Sequence, residues 1–192
     1  MSTKQHPILS VEDYLAIERS AEQRHEYYQG EIFAMAGGSP AHNLIVANSV
    51  TSLTLQLKGR PCRAYASDMR VKVNPLGKYT YPDIVVTCGQ EIYDDVQQDT
   101  LTNPLLIMEV LSDSTEGYDR GDKFAHYQKL NSLKEYVLIS QKISRIERFV
   151  RQHDGSWLLH VFEHLEMTVQ LDAIGCKLKL ADVYDKIDLA AN

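Results

Sequence analysis

PLLIMEVLS, residues 104–112, is almost wholly apolar and carries one charge, Glu109, near its middle. An apolar run of this length without alternation reads as a central strand buried on both faces. A carboxylate inside such a strand costs free energy unless it is paired or holds a cation. The stretch YTYPDIVVTC, residues 79–88, repeats the anomaly: Asp83 follows Pro82 and opens the apolar run Ile84-Val85-Val86. Two oxygen donors from separate strands are what a hard cation such as magnesium takes, together with waters and phosphate oxygens. The Val110 carbonyl, next to Glu109, is a third candidate ligand.

The elements around these strands follow from local signals. Ser10 and Asp13 form a capping pattern, and Val11, Tyr14 and Leu15 share a helical face, which predicts a helix near 11–19. RHEYYQGEIFAMAG, residues 24–37, reads as a hairpin turning at Gln29-Gly30. Ser39-Pro40 opens a second helix, with serine as cap and proline in the first turn. Leu44, Ala47, Thr51 and Leu55 repeat at helical spacing, and Gly59 ends the helix near residue 58. CRAYASDMRVKV, residues 62–73, is rich in strand formers, and NPLGK is a turn. Residues 90–103 form a polar insert, expected to be a loop or short helix. DRGDKFAHYQKLNS, residues 119–132, reads as a helix with Phe124, Tyr127 and Leu130 on one side. EYVLIS, RIERFVRQ, SWLLHVFE and MTVQL read as strands. The order gives an α/β fold with a mixed sheet whose central strands are covered by two helices.

The 192 residues fit one domain with a full core. No apolar run approaches the roughly 18 residues of a membrane span, and MSTKQHPILS lacks the apolar core of a signal peptide. Cytoplasmic residence is the default expectation. Cys62, Cys88 and Cys176 lie far apart with no CxxC pair, so buried free thiols are expected. A net charge of −6 argues against coating nucleic acid by bulk electrostatics. A local patch is still compatible with contact. Lys58, Arg60, Arg63, Arg70, Lys72 and Lys78 stand against one acid, Asp68, and an acidic run follows with Glu91, Asp94, Asp95 and Asp99. From charge alone both runs read as solvated surface.

YPDIVV, MEVLSDST and DRGDKFAHYQ, in that order, resemble the Uma family of restriction endonucleases, within the PD-(D/E)XK nuclease superfamily. SVEDYLAIE resembles the family's opening helix, RHEYYQGEIFAMAGGSPAHNLI its Glu-Gly-Glu hairpin and Ser-Pro-x-His turn, and KEYVLIS the strand after the second helix. The resemblance spans nearly the whole chain and implies a restriction-endonuclease-like core, a mixed sheet flanked by helices with an N-terminal helix and hairpin. It implies that Asp83 and Glu109 are the motif acids holding magnesium, with manganese as a substitute. The basic form of the motif has lysine two places after the second acid; here that place is Leu111. The resemblance implies instead that Lys123 reaches back from the following helix. Read by itself, Lys123 is an exposed partner of Asp119, four residues away. Glu26, Glu31 and His42 are supporting candidates, for a second metal, for orienting water, or for phosphate contact and proton transfer. Lys58, Arg60, Arg63, Arg70 and Lys72 are candidate contacts to a nucleic-acid backbone.

The expected activity is therefore metal-dependent hydrolysis of phosphodiesters in nucleic acid, DNA above all, by a protein without a membrane association; a homodimer is common for enzymes that cut two strands. A catalytically inactive nucleic-acid-binding or assembly module of the same fold is the alternative. A hydrolase of small phosphorylated molecules is a third reading, favoured by a narrow pocket with no basic groove leading to it. His160 and His164 are four apart in a strand-like segment, which sets them about 13 Å from each other and argues against shared zinc ligation. Gly37-Gly38-Ser39 lacks the Gly-Lys-Ser/Thr of a Walker loop, and no GxSxG is present.

Overall fold

The computed structural model describes residues 8–189. Residues 1–7, part of the segment read as lacking a leader's apolar core, lie outside the described residues. Helix α1 (Val11–Ser20) starts where the Ser10 hydroxyl accepts the Asp13 amide, and it buries Tyr14 and Leu15. Strands β1 (His25–Tyr28) and β2 (Glu31–Ala34) form the hairpin. Its two turn residues are both left-handed, Gln29 at φ 52° and Gly30 at φ 87°. That geometry matches the twist of the paired strands, and glycine adopts it without a steric cost.

Helix α2 (Pro40–Leu57) is capped by the Ser39 hydroxyl, which accepts the His42 amide. Its buried face is Ile45, Val46, Ser49, Leu53 and Leu57, not the Leu44, Ala47, Thr51, Leu55 series read from sequence. Leu44 is 37% and Leu55 71% exposed. The helix carries apolar residues around most of its circumference, so spacing alone does not choose the face.

The remaining elements are β3 (Cys62–Ala66), β4 (Arg70–Val73), β5 (Lys78–Thr80), β6 (Ile84–Cys88), β7 (Thr100–Leu101), β8 (Leu106–Leu111), a helical segment α3 over residues 116–127, β9 (Glu135–Ser140), β10 (Ile146–Arg151), β11 (Trp157–Phe162), β12 (Thr168–Leu171), β13 (Cys176–Lys179) and α4 (Leu180–Val183). A six-stranded sheet runs β11-β10-β9-β8-β6-β3, with β8 and β9 parallel and the other pairs antiparallel. A five-stranded sheet runs β2-β1-β5-β4-β7, and β12 pairs with β13. Two stretches that read as continuous strands are thus broken between sheets, 62–73 after Ala66 and 79–88 after Thr80. Ser67 takes a positive φ at the first break. Pro82, which has no amide hydrogen for a ladder, sits at the second.

Alternation along β6 and β8 sorts their side chains to two cores. Ile84, Val86, Leu106, Met108 and Val110 face α2 and the β12–β13 hairpin. Val85, Ile107 and Leu111 face α3 and the five-stranded sheet, together with Phe124, Tyr127 and Leu130. Glu109, by the same alternation, belongs to the second face. The expectation of three free thiols is corrected: Cys62 and Cys88 stand directly opposite in the β3–β6 register and form a disulfide, while Cys176 is free and buried. The antiparallel register that places them together has no short-range signature in the sequence. Among the described residues no helix is long and apolar enough to cross a membrane.

Leu53 is fully buried between α2 and the six-stranded sheet. Leu53→Ala is expected to destabilise the fold by roughly 2–5 kcal/mol, from lost transfer energy plus an unfilled cavity. Urea denaturation with an unchanged slope and a lower midpoint is the expected result.

Candidate active site

The β6–β8 register places Ile84 opposite Met108. Continued by one residue, it places Asp83 opposite Glu109. The two residues then exchange contacts through backbone and side chain. The Asp83 amide donates to Glu109 Oε2 at 3.2 Å, and the Val110 amide donates to Asp83 Oδ2 at 2.7 Å. Both carboxylates line one cavity of about 520 Å³, as does Val110.

Lys123 crosses to them. Its Nζ lies 2.9 Å from Glu109 Oε1, 3.6 Å from Glu26 Oε1 and 3.5 Å from Asp119 Oδ1. The pairing with Asp119 expected from helical spacing is present, but it is buried and shared with the two glutamates. Helical segment α3 is not uniform: α-helical turns at Glu116–Tyr118 and Phe124–Tyr127 enclose a π-helical turn, Asp119–Lys123. Such widened turns recur at functional sites. One turn after Lys123, the Tyr127 hydroxyl donates to the same Glu109 Oε1 at 3.0 Å.

The five-stranded sheet supplies the opposite wall. Glu26, on β1, accepts a hydrogen bond from the Thr80 hydroxyl on β5. Its Oε2 lies 4.0 Å from Lys78 Nζ and 3.5 Å from the Tyr118 hydroxyl. His42, in the first turn of α2, sets Nε2 3.1 Å from Asp83 Oδ1. Gly38 allows this: a Cβ there would stand 2.6 Å from His42 Nδ1, so any larger residue would push the ring from its place beside Asp83.

Charge is unevenly balanced in this cluster. Burial pushes Glu109 up to about 8, against the lowering pull of Lys123, with Asp83 and Asp119 adding to the rise. Burial also raises Asp119. Glu26 lies on the other side of its ordinary value: burial alone would raise it, but Lys123, Thr80 and Lys78 hold it down. Burial would lower Lys123, yet Glu109, Tyr127, Glu26 and Asp119 raise it well above its usual range. One buried ammonium therefore serves several acids, and the acid burial penalises most is Glu109. The donor set fits a hard cation. Glu109 Oε1 is occupied by Lys123 and Tyr127, while Oε2 and the Asp83 oxygens each accept a single bond and keep a lone pair. Among the described residues no three of His, Cys, Asp and Glu converge as ligands. An ion here would keep several waters, as magnesium does.

Other candidates fall outside the cavity. Glu31 is exposed beside the hairpin turn and does not line it. Most of the basic run is engaged within the chain. Arg70 is 3% exposed and bonds Asp99 at 2.8 Å and Thr100 at 2.8 Å. Lys72 bonds Asp94 at 2.6 Å, and Arg63 pairs with Glu91 at 2.9 Å. Arg60 donates to the carbonyls of Gly175 and Ile174. The acidic run that follows in the chain is thus the partner of the basic one. Lys58, Arg60 and Arg63 line a separate cavity. Lys78, counted with the basic run, is buried beside Glu26. With Thr80 and Asp119 it belongs to the site; Asp119 was expected only as an exposed partner of Lys123, and Lys78 and Thr80 were not expected there. The signal for Lys78 and Thr80 was their alternation on one face of β5, four and two residues before Pro82.

The Uma2 family, described as "Putative restriction endonuclease", matches residues 11–182. The chain belongs to the Uma2 family. Two relatives from Synechocystis sp. (strain ATCC 27184 / PCC 6803 / Kazusa) are similar over most of their length. Uncharacterized protein slr1290 is 35% identical over 178 residues, covering 93% of this chain and 92% of the relative. Uncharacterized protein sll1609 is 38% identical over 152 residues, covering 79% and 86%. A solved structure from Anabaena variabilis ATCC 29413, a "putative nuclease belonging to DUF820", superposes with a TM-score of 0.74 at 19% identity, covering 92% of this chain and 97% of that one. At that identity the likeness establishes the fold. The matched Uma2 span contains Glu26, His42, Asp83, Glu109 and Lys123.

Lys123→Met removes the cation that lies between Glu26, Glu109 and Asp119. The expected loss of stability is roughly 3–5 kcal/mol at pH 8.5. It should be smaller at pH 5, because Glu109, with its folded-state value raised to about 8, is neutral there and needs no partner. Lys123 itself, raised above its ordinary value, stays charged across this whole window, so a difference between the two pH values reports the protonation of the carboxylates it faces. Equal losses at both pH values in urea denaturation would show that the ammonium is not the compensating charge.

Proposed function

We propose that this protein is a magnesium-dependent endonuclease that hydrolyses phosphodiester bonds of nucleic acid, DNA in the first instance. The observation that carries the reading is the 2.9 Å approach of Lys123 Nζ to Glu109 Oε1 in the cavity shared with Asp83. A lysine from a helix thereby occupies the role that Leu111 leaves vacant on the strand. Membership of a family described as restriction endonucleases supports the same reading.

Asp83 and Glu109 would hold the ion, with the Val110 carbonyl beside them. When bound, the ion supplies Lewis acidity at the scissile phosphate and makes water a better nucleophile. Lys123, fixed by Glu26, Glu109 and Asp119, presents positive charge where the phosphoryl oxygens become more negative, and needs little reorganisation to do so. Tyr127 holds Glu109 Oε1 and leaves Oε2 to face the cavity. His42, held by Asp83, stands at the wall as a phosphate contact or proton acceptor. Glu26 keeps Lys123 in register.

Cleavage of labelled DNA in magnesium tests the assignment. Asp83→Asn and Lys123→Ala are each expected to lose roughly 10²–10³-fold in rate, while Glu31→Gln, outside the cavity, keeps the parent rate. Equal rates in all four proteins would sink the residue assignment. A second measurement follows from Glu109. Because it holds its proton up to about 8, magnesium must displace that proton, so affinity should tighten as pH rises from 6.5 to 8.5. Calorimetric titration showing the same affinity across that range would place the ion away from Glu109.

A further inference from the structure

Two aromatic rings on the wall of the catalytic cavity are exposed to it. Phe33 is 49% and Tyr118 38% exposed, and both line the cavity that contains Asp83, Glu109 and Lys123. Phe33 lies on β2, an edge strand of the five-stranded sheet, directly opposite Glu26 in register. Tyr118 is fixed at its inner end: its hydroxyl accepts from Lys78 Nζ and donates to Glu26 Oε2 at 3.5 Å. Neither residue belongs to a core cluster. Among the described residues neither ring stacks on another aromatic ring. Single exposed apolar side chains need no explanation. Two aromatics facing one cavity lined by polar groups are a different case: Lys78 Nζ lies 4.9 Å from the centre of the Tyr118 ring and orients it, and among the described residues the Phe33 ring has neither an aromatic nor a cationic partner.

Nucleobases are flat and apolar on their faces, and aromatic platforms bind them without regard to sequence. The cavity's volume of about 520 Å³ is on the scale of pockets that enclose a small ligand. It suits a nucleotide-sized group. Single-strand binders add such stacking platforms to cationic contacts with the backbone, whereas sequence-independent duplex binding rests on the phosphate contacts alone; here Arg63, Arg70 and Lys72 are tied to Glu91, Asp99 and Asp94. We infer that Phe33 and Tyr118 receive an unstacked base next to the scissile phosphate, so that the substrate class is single-stranded nucleic acid, or a strand with an extruded nucleotide, in preference to uninterrupted duplex. The inference rests on the nucleic-acid reading of this cavity, and makes Phe33 and Tyr118 positioning residues for that substrate.

The test measures binding without metal, so that cleavage does not enter. The probe is a single-stranded DNA oligonucleotide carrying one 2-aminopurine, whose fluorescence falls when it stacks; anisotropy of a labelled copy gives Kd. The parent protein is expected to quench the probe and to bind it more tightly than the matching duplex at equal salt. Phe33→Ala should bind about 10-fold more weakly and lose the quenching, and Phe33→Trp should restore both. Tyr118→Leu should weaken binding in the same direction. Replacing the base by an abasic unit should cost the parent protein affinity but cost Phe33→Ala little more, since the ring it met is already gone. The thermal midpoint of Phe33→Ala should equal that of the parent, separating lost stacking from lost folding. Equal affinity of parent and Phe33→Ala, an equal abasic penalty in both, or tighter binding of duplex would overturn the inference. If magnesium is then added and the parent protein stacks the base without cutting, the inference stands and the proposed nuclease activity fails.

Discussion

The Lys123 ammonium stands among the carboxylates of Glu26, Glu109 and Asp119, and all four residues are buried. Burying a carboxylate is tolerable only when its charge is met or its proton retained. The structure uses both solutions: Glu26 is held ionised by Lys123, Thr80 and Lys78, while Glu109 is pushed toward its neutral form. Much of the local architecture follows from keeping Lys123 in reach. It comes from helical segment α3, while Leu111, two places after Glu109, packs into the second core. Lys123 and Tyr127, four residues apart and on one helical face, both reach Oε1 of Glu109 just after the widened turn.

The cluster sits where the chain changes sheets. Thr80 ends β5 in the five-stranded sheet, and Ile84 begins β6 in the six-stranded one. Pro82, between them, has no amide hydrogen to give to either ladder. The Asp83 carbonyl still accepts from the Ser67 amide, but its amide turns to the Glu109 carboxylate, and its own carboxylate takes the Val110 amide. Glu26 approaches from one sheet and Glu109 from the other, with Lys123 bridging them. Neither sheet alone contains the site.

The two acids were legible in the sequence because charges inside apolar runs are anomalous by themselves. The hairpin, the caps of α1 and α2, the central strands and the helix before β9 were legible for similar reasons: each has a local signature of turn residues, capping side chains or periodicity. The division into sheets was not, because a break such as Ser67-Asp68-Met69 resembles any polar pause in a strand. The buried face of α2 was hidden by apolar residues on its other side. The basic run looked like a surface patch, since its acidic partners follow at a distance that only the folded β4 and β7 region brings close. Lys123 could be placed near the acids only by resemblance to a family; neither its spacing nor its neighbours announce a buried lysine. The Cys62–Cys88 pairing depends on strand register and was likewise invisible.

The widened turn at Asp119–Lys123 also bears on how this site can change over time. A π-helical turn is an α-helix with one residue too many, absorbed locally as a bulge. Residues beyond it are advanced by about 100° relative to an uninterrupted helix, the angular step of one residue at 3.6 per turn. The bulge thus works as a phase adjuster between the loop after β8 and the packing face of Phe124, Tyr127 and Leu130. A one-residue deletion between Ser112 and Lys123 would have to choose which to keep aligned, the ammonium or the apolar stripe. Where the ammonium stands is consequently a matter of helical phase, and counting residues from Glu109 along an alignment is a poor guide to finding its counterpart in a distant relative.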